Sequence, residues 1–281
     1  MKVTSRKRLC HSSAARSDPL RRPQYPEASH RRDERRQSHI DVPLGSSIDA
    51  INSACGDGTL SDLLASVKLV GVTGEHGAER PGSWEYYDRR AAEGTRSIGH
   101  ALAYWKGLGV QATVADIEAE AAEVRRLIRS MQPSTFVEVG AGPGTFTADL
   151  PGSGVALDQS DAALRVLRSG LAHMPVVRGN ALRLPIRNRA VARVFAAHIY
   201  GLLTDEERRP FLSEARRIAE ELVVLDAGRP PGVPAEHRQH RTLGGGEIFR
   251  VFRRHFDAAA LAAEIDGRPL FSGRFYVVVT A

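Results

Sequence analysis

The sequence predicts an α/β fold with a mostly parallel sheet of seven strands, preceded by a helical N-terminal extension. Short β-rich runs alternate with helical runs from residue 134 onward. A glycine-rich turn directly follows the first of these runs. The last two β-rich runs are separated only by Gly273, so the sheet is expected to end in a hairpin rather than in another crossover.

Basic residues are concentrated at the N-terminus. Residues 1–40 hold 11 Arg or Lys and four Asp or Glu, a balance of +7, whereas the whole chain carries +6. The remainder is therefore close to neutral, and it offers no net attraction for nucleic acid. Residues 1–45 also have few aliphatic residues, which predicts a disordered Arg-rich tail. A tail that binds nucleic acid or an anionic surface is the alternative.

Composition bounds the class of protein. Cys10 and Cys55 are the only cysteines among 281 residues, which excludes a disulfide framework and a zinc site made of cysteines. We therefore expect a reducing, cytoplasmic environment. Because no apolar run approaches about 18 residues, we expect no membrane partner. The use of 35 Arg against four Lys suggests a GC-rich bacterial genome.

Residues 46–130 are predicted to form the helical extension. Four aliphatic residues recur there at helical spacing, namely Leu60, Leu63, Leu64 and Val67. Asp116–Met131 forms a second, amphipathic pattern, which Pro133 ends. The aromatic residues Trp84, Tyr86 and Tyr87 could form a lid over a bound ligand, with ordinary core packing as the alternative.

Residues 131–281 are predicted to form the ligand-binding domain. The predicted strands are Thr135–Val139, Gly154–Leu157, Pro175–Arg178, Val191–Ala197, Leu222–Asp226, Pro269–Ser272 and Arg274–Thr280. The predicted helices between them are Asp161–Leu171, Asp205–Ala219 and Asp257–Ile265. This alternation implies βαβ units with right-handed crossovers.

The chemical signal lies in the glycine-rich turn, which we expect to open a helix. Gly140, Gly142 and Gly144 follow an apolar strand, and glycine lets the backbone pass close to a ligand. The carboxyl edge of a parallel sheet is where nucleotide-like ligands bind. The spacing fits neither the dinucleotide fingerprint nor the Walker A loop. The turn therefore suits a ligand without phosphate.

Two polar residues follow the next two strands. Asp158 ends the second strand, where a carboxylate can accept hydrogen bonds from both ribose hydroxyls. Asn180 follows the third strand, and its amide offers both a donor and an acceptor to an adenine edge. Together with the glycine turn, they predict a nucleoside-containing ligand.

These motifs resemble those of the class I S-adenosylmethionine-dependent methyltransferases. The resemblance rests on Val-Glu-Val-Gly-Ala-Gly-Pro-Gly-Thr at 137–145, Leu-Asp at 157–158 and Gly-Asn-Ala-x-x-Leu-Pro at 179–185. It covers residues 134–281 and extends to a terminal Phe-Tyr-Val-Val-Val run. It implies a Rossmann-like, seven-stranded sheet with an antiparallel last strand and S-adenosylmethionine as the cofactor.

The resemblance also implies roles for individual residues. The glycines would line the methionine moiety and ribose, Glu138 would lie beneath the methionine portion, Asp158 would bind the ribose and Asn180 the adenine amino group. The remaining predicted cofactor contacts are Ala141, Gln159, Ala181 and Ala197. The sequence departs from the family in having Asn180 where Asp is usual, and Val191-Ala192 where Phe-Asp is frequent.

The sequence gives fewer signals for the residues that contact the methyl acceptor. His198 follows the fourth strand and is the best candidate for a general base, with packing or substrate positioning as the alternative. Tyr200 is a candidate for contact with the substrate or adenine. His237 and His240 could form a metal pair, but without a third ligand a solvated polar face is favoured, and no metal is predicted. Gly244–Gly246 is expected to give a mobile substrate loop.

The sequence thus predicts methyl transfer to a small organic acceptor by in-line displacement. Ala-Ala-His-Ile-Tyr-Gly at 196–201 stands where nucleic-acid amino-methyltransferases of this superfamily carry Asn/Asp-Pro-Pro-Tyr/Phe, so nucleic acid is not the expected substrate. The alternatives are a non-catalytic S-adenosylmethionine-binding regulatory module, or a nucleic-acid or protein methyltransferase that uses the basic tail. A monomer and a homodimer both remain open.

Overall fold

The computed structural model describes residues 83–93 and 98–281. The tail predicted at 1–45 and the helix predicted around Leu60–Val67 lie outside the described residues. Within them the helices are α1 (Ser83–Ala92), α2 (Ile98–Gly107), α3 (Val114–Arg129), α4 (Asp161–Gly170), α5 (Asp205–Ile218) and α6 (Ala258–Ile265). The strands are β1 (Ser134–Val139), β2 (Gly152–Asp158), β3 (Val176–Arg178), β4 (Val191–Ala197), β5 (Ala219–Ala227), β6 (Glu236–Thr242), β7 (Ile248–Arg254), β8 (Arg268–Ser272) and β9 (Tyr276–Thr280). None of the described helices is both long and apolar enough to cross a membrane.

Seven strands form one sheet in the order β3-β2-β1-β4-β5-β9-β8. Strands β1 to β5 are parallel, and β9 is antiparallel to its neighbours β5 and β8. Only β9 therefore runs against the other strands, which confirms the predicted sheet and its hairpin-like end. The chain leaves β1 on one side for β2 and later returns to β4 on the other side. This reversal creates a crevice at the carboxyl edge, where ligands of such sheets bind.

Alternating side chains bury both faces of the sheet. On one face Val124 of α3 packs with Phe136 and Phe195. On the other face Phe211 of α5 packs with Val194 and its neighbours. Because successive side chains of a strand point to opposite faces, Glu138 shares the face of Phe136. A carboxyl group is thereby placed in an otherwise apolar layer.

Side-chain caps fix where the helices begin. Thr113 and Asp116 form a reciprocal capping box at the start of α3. At α4, the Ser160 hydroxyl accepts a hydrogen bond from the Ala163 N–H. Such a cap stabilises a helix by about 1 kcal/mol. Since Ser160 lies two residues after Asp158, this cap also fixes the chain beside the glycine turn.

The connection from β1 to β2 corrects the prediction of a helix after the glycine turn. It holds only a 3-10 turn at Thr147–Asp149. Three glycines with positive φ and Pro151 interrupt this short connection, so no α-helix can form there. Arg125 and Arg129 of α3 form ion pairs with the buried Asp149. These ion pairs tie α3 to the connection that the sequence assigned to a helix of its own.

Residues 236–254 form a hairpin that the sequence did not predict. Strands β6 and β7 pair in antiparallel register, from Glu236 opposite Arg254 to Thr242 opposite Ile248. Gly244–Gly246, predicted as a mobile substrate loop, lies in the turn of this hairpin. The Gly244 N–H donates to the Glu93 carboxylate at 2.6 Å, so the turn is docked onto the end of α1.

Candidate active site

The glycine turn leaves β1 in a conformation that needs glycine. Gly140, Gly142 and Gly144 have φ values of +70°, +56° and +89°. A Cβ at Gly140 would lie 2.6 Å from Cδ1 of Ile199, and one at Gly144 would lie 3.1 Å from Cγ of Leu167. Backbone strain and contact with neighbours therefore both exclude a side chain at Gly140, and the turn lies open to the crevice.

Asp158 joins the glycine turn to α4. Its carboxylate accepts hydrogen bonds from the Gly142 N–H and the Ser160 N–H, both at 2.8 Å. Burial raises the pKa of Asp158, although these backbone hydrogen bonds oppose the shift. The Ser160 hydroxyl in turn contacts the Asp88 carboxylate at 2.6 Å. The carboxylate is thus held in place at the carboxyl edge of β2, next to the turn.

A cleft of about 1730 Å³ brings together most of the residues assigned from the sequence. Its lining includes Glu138, Gly140, Ala141, Gly142, Asp158, Gln159, Asn180, Ala181 and Ala197. Gly144 instead packs behind the turn, against Leu167 of α4. The Oδ1 atom of Asn180 accepts the Leu182 N–H at 2.8 Å, which orients the amide and leaves a second lone pair on that oxygen.

Glu138 is the buried acid of the site. Its side chain is almost fully enclosed, and the Thr147 hydroxyl donates to its carboxylate. Burial raises its pKa to about 8, with Asp158 and Asp149 adding to the rise, so the group is largely protonated at pH 7. A protonated acid in the cleft wall can become charged when a cation approaches. This chemistry fits the amino group or sulfonium of the expected cofactor.

His198 lies where β4 ends, with a φ of +57°, which is uncommon for a residue other than glycine. Arg253 of the hairpin donates to its carbonyl at 3.1 Å and to its Nδ1 at 3.2 Å. A guanidinium has only donors, so Nδ1 must present a lone pair and the neutral ring carries its proton on Nε2. This arrangement favours His198 as a hydrogen-bond donor rather than as a base.

Arg253 is itself held by a buried carboxylate. It donates to Oδ1 of Asp226 at 2.7 Å, and both side chains are buried. Burial alone would raise the pKa of Asp226, but Arg253 and the Gly201 N–H keep it below its usual value. Asp226 lies 3.7 Å from Nδ1 of His198, which is too far for a hydrogen bond. This pair could not be recognised in the sequence, because an isolated Asp and Arg carry no motif.

Tyr200 corrects the sequence prediction. Its side chain is fully buried between Phe211 and Phe256, and its hydroxyl donates to Glu264 at 2.8 Å. It does not line the cleft. Tyr200 therefore belongs to the core that joins α5 and α6, and it has no place in substrate contact.

Tyr104 and His255 form a hydrogen-bonded pair that sequence reasoning also missed. The Tyr104 oxygen lies 2.6 Å from Nε2 of His255, and Nδ1 of that ring lies 3.2 Å from the Pro234 carbonyl. A carbonyl only accepts, so Nδ1 carries the proton and Nε2 accepts from the Tyr104 hydroxyl. Burial lowers the pKa of His255 to about 4, with Arg253 acting in the same direction, and the ring stays neutral at pH 7.

The histidines considered as a metal pair are separated. His237 and His240 are three residues apart on β6, so their side chains point to opposite faces of the strand. His237 instead stacks on His255, with ring centroids 5.1 Å apart and an interplanar angle of 6°. In the part of the chain that the structure describes, no cluster of three His, Cys, Asp or Glu residues could hold a metal ion.

Comparison with known proteins identifies the domain. Residues 137–222 match the family model described as a methyltransferase domain. This range runs from β1 into β5 and contains the glycine turn, Asp158, Asn180 and His198. No curated protein matches the sequence.

Among solved structures, the complex described as DhpI-SAM-HEP matches with a TM-score of 0.54 and 19% identity, over 70% of this chain and 94% of that chain. The DhpI-SAH complex gives 0.52 and 19%, over 70% and 92%. A glycopeptide N-methyltransferase, MtfA, complexed with sinefungin gives 0.43 and 19%, over 57% and 91%. At these identities the DhpI structures establish a shared fold.

Proposed function

We propose that the chain carries a class I S-adenosylmethionine-dependent methyltransferase domain and that it transfers the methyl group to a small organic acceptor bound in the cleft. The observation that carries this proposal is the convergence of three motifs, separated in sequence, on one cleft. The glycine turn, Asp158 and Asn180 lie at the ends of β1, β2 and β3.

The proposed cofactor contacts follow from the chemistry of each side chain. Asp158 would accept hydrogen bonds from the ribose hydroxyls, and Asn180 would accept one from the adenine amino group. Gly140 and Gly142 would let the backbone lie against the methionine portion. Glu138 would balance the positive charge of that portion as its carboxyl ionises.

S-adenosylmethionine supplies an activated methyl group when it is bound. The residues of this chain would hold the acceptor in line with that methyl group. The main task of the chain is then to align the acceptor and exclude water. Side chains of α1, α2 and the hairpin wall the cleft, among them Tyr86, Tyr104 and Phe252, and this enclosure favours a small acceptor over a polymer.

His198 is the proposed acceptor-facing residue. It lies at the end of β4 in the cleft wall, next to Ala197, a proposed cofactor contact, and its ring is held by Arg253. A ring that carries its proton on Nε2 would orient an acceptor through hydrogen bonding. We therefore propose a positioning role for His198 rather than proton removal.

The test is calorimetric titration of the full chain with S-adenosylhomocysteine. We expect micromolar binding that Asp158→Ala weakens by about tenfold or more, since the carboxylate is lost at the proposed ribose position. Glu118→Ala, on an exposed face of α3, is the control and should leave the affinity unchanged. Absence of binding to the folded wild-type protein would overturn the proposal. Transfer of labelled methyl groups into a metabolite extract then identifies the acceptor.

A further inference from the structure

Arg241, on β6 of the hairpin, is held between two aromatic rings. Its guanidinium carbon lies 5.6 Å from the ring centroid of Tyr86 in α1 and 5.2 Å from that of Tyr104 in α2. All three side chains line the cleft. Rings that contact the faces of a guanidinium leave its in-plane N–H groups available for hydrogen bonding. The side chain is thus pre-oriented without being neutralised.

Among the described residues, no carboxylate forms an ion pair with Arg241. Other arginines of the cleft wall are neutralised, because Arg253 pairs with Asp226 and Arg90 pairs with Glu93. Arg238 and Arg250 also line the cleft and, within the same part of the chain, form no ion pair. The hairpin therefore presents excess positive charge to the cleft.

Two acidic residues of the cleft are neutralised away from Arg241. Asp205 and Glu236 pair with Arg208 and Arg254, at the other end of the hairpin. The positive charge acts on the neighbouring His237. Burial lowers the pKa of this imidazole, and Arg241 and Arg253 lower it further. A positive potential in a partly enclosed cleft concentrates anions there.

The positive charge also lies on the acceptor side. Arg241 stacks on Tyr104, Tyr104 and Arg253 interact electrostatically, and Arg253 holds His198. This series of contacts connects Arg241 to the proposed acceptor-facing residue. The residues proposed to bind the cofactor lie at the carboxyl ends of β1 to β4 and none belongs to the hairpin, so a group bound by Arg241 would not occupy the cofactor position.

We propose that the acceptor carries an oxyanion group, a carboxylate or a phosphoryl group, which binds to Arg241 between Tyr86 and Tyr104. This inference rests on the proposed function and names its substrate class. A planar guanidinium donates two parallel hydrogen bonds to either group, which fixes the orientation of the acceptor as well as its affinity. The oxyanion recognised is a binding handle, and the attacked atom lies elsewhere on the acceptor.

The test compares matched probes by binding rather than by activity. Full-length protein is titrated with benzoate, phenylphosphonate and the neutral benzamide, each with and without saturating S-adenosylhomocysteine. Tryptophan fluorescence reports binding, because Trp105 lies against Tyr104, with ring centroids 5.1 Å apart. We expect at least one anion to bind about tenfold more tightly than benzamide, and the better anion distinguishes a carboxylate from a phosphoryl group.

Variants locate the site. Arg241→Gln should weaken anion binding by about tenfold, and Arg241→Lys, which keeps the charge but loses the planar fork, should give an intermediate loss. Arg209→Gln, an exposed arginine of α5 outside the cleft, is the matched control and should change nothing. Retained S-adenosylhomocysteine affinity shows that the variants are folded. If Arg241→Gln does not fold, the anion affinity of Arg241→Lys tests the proposal in its place.

Equal binding of benzamide and both anions would overturn the inference, as would equal anion affinities in Arg241→Gln and Arg209→Gln. Because each probe is also titrated alone, failure of the cofactor proposal is seen separately. If the wild-type protein binds an anion but not S-adenosylhomocysteine, the cofactor proposal is rejected and the anion site is supported. The reverse result keeps the methyltransferase proposal and rejects an anionic acceptor.

Discussion

Single side chains carry most of the chemistry of this cleft, and burial raises the pKa of Glu138 to about 8. Sequence resemblance placed it beneath the cofactor, but its protonation state follows only from the structure. The carboxyl group is almost fully buried, and among the described residues the hydrogen bond that it accepts comes from the Thr147 hydroxyl. That Glu138 lines the cleft could thus be predicted from the sequence, whereas the burial that sets the charge of its carboxyl group could not.

Glu138 makes stability depend on pH. Its pKa is about 8 in the folded chain against an ordinary 4.5, so the unfolded state releases the proton first as pH rises. The contribution of Glu138 to the free energy of unfolding should therefore be largest below pH 4.5 and should fall by roughly 1.4 kcal/mol per pH unit up to pH 8. Glu138→Gln should remove this slope and should be more stable than the wild type at pH 8. Urea denaturation at pH 5 and pH 8 measures both effects.

The same substitution should weaken the site. Glutamine cannot ionise, so S-adenosylhomocysteine should bind Glu138→Gln about tenfold more weakly at pH 8. A gain in stability with a loss of binding is typical of a residue retained for function. Glu118→Gln, on the exposed face of α3, is the control for both measurements. Parallel pH slopes for the wild type and Glu138→Gln would show that the carboxyl group is not protonated in the fold.

Substitution of His198 distinguishes a role in positioning the acceptor from a role in proton removal. The sequence offered both roles, and the donor from Arg253 favours the first. We expect His198→Gln to lower kcat/KM by about tenfold while the pH profile keeps its shape. The pH profile of kcat/KM is measured from pH 5 to 9 with the acceptor that the wild-type protein methylates. Disappearance of an acid limb near the ordinary pKa of histidine would instead identify His198 as the general base.

Secondary-structure elements were predicted from the sequence wherever their apolar pattern was strong. All seven strands of the main sheet are confirmed, with ends shifted by up to three residues, because they bury Val, Leu and Phe. The hairpin was not predicted because residues 236–242 are all polar, so no alternation of apolar and polar residues marks the strand. The helix predicted after the glycine turn is missing because only six residues separate Gly144 from Pro151, which leaves room for a single 3-10 turn.

The hairpin is the element that completes the acceptor side, and Arg253 anchors it. This side chain spans from β7 to Asp226 of β5, and both groups are buried. Arg253→Leu leaves an unpaired buried carboxylate, and we expect a loss of about 3–5 kcal/mol in the free energy of unfolding. The double variant Arg253→Leu with Asp226→Leu should recover most of that loss. Urea denaturation of both variants checks this.

Activity should not recover in parallel. The double variant lacks the donor that orients the His198 ring, so methyl transfer should stay low although the fold is restored. Arg268→Leu, an exposed arginine of β8, provides the control for removal of a surface charge. Equal stabilities of the single and double variants would indicate that Asp226 finds another partner and that the hairpin is held by its apolar contacts, such as buried Val251.

For the whole molecule, the question is which part of the charge selects the ligand. The basic excess lies in residues 1–40, whereas the rest of the chain is nearly balanced. An anion attracted by overall charge would therefore depend on the N-terminal segment, while one bound by Arg241 would depend on the hairpin.

Deletion of residues 1–40 separates these sources. We expect S-adenosylhomocysteine affinity, phenylphosphonate or benzoate affinity, and methyl transfer to stay within about twofold of the full chain. Binding to a DNA duplex, measured by fluorescence anisotropy at low salt, should fall, because the remaining chain has no net positive charge. If small-anion binding fell together with DNA binding, the N-terminal segment would be the anion site and the acceptor need not be acidic. If methyl transfer alone fell, the basic segment would take part in acceptor delivery, as a nucleic-acid or protein methyltransferase requires.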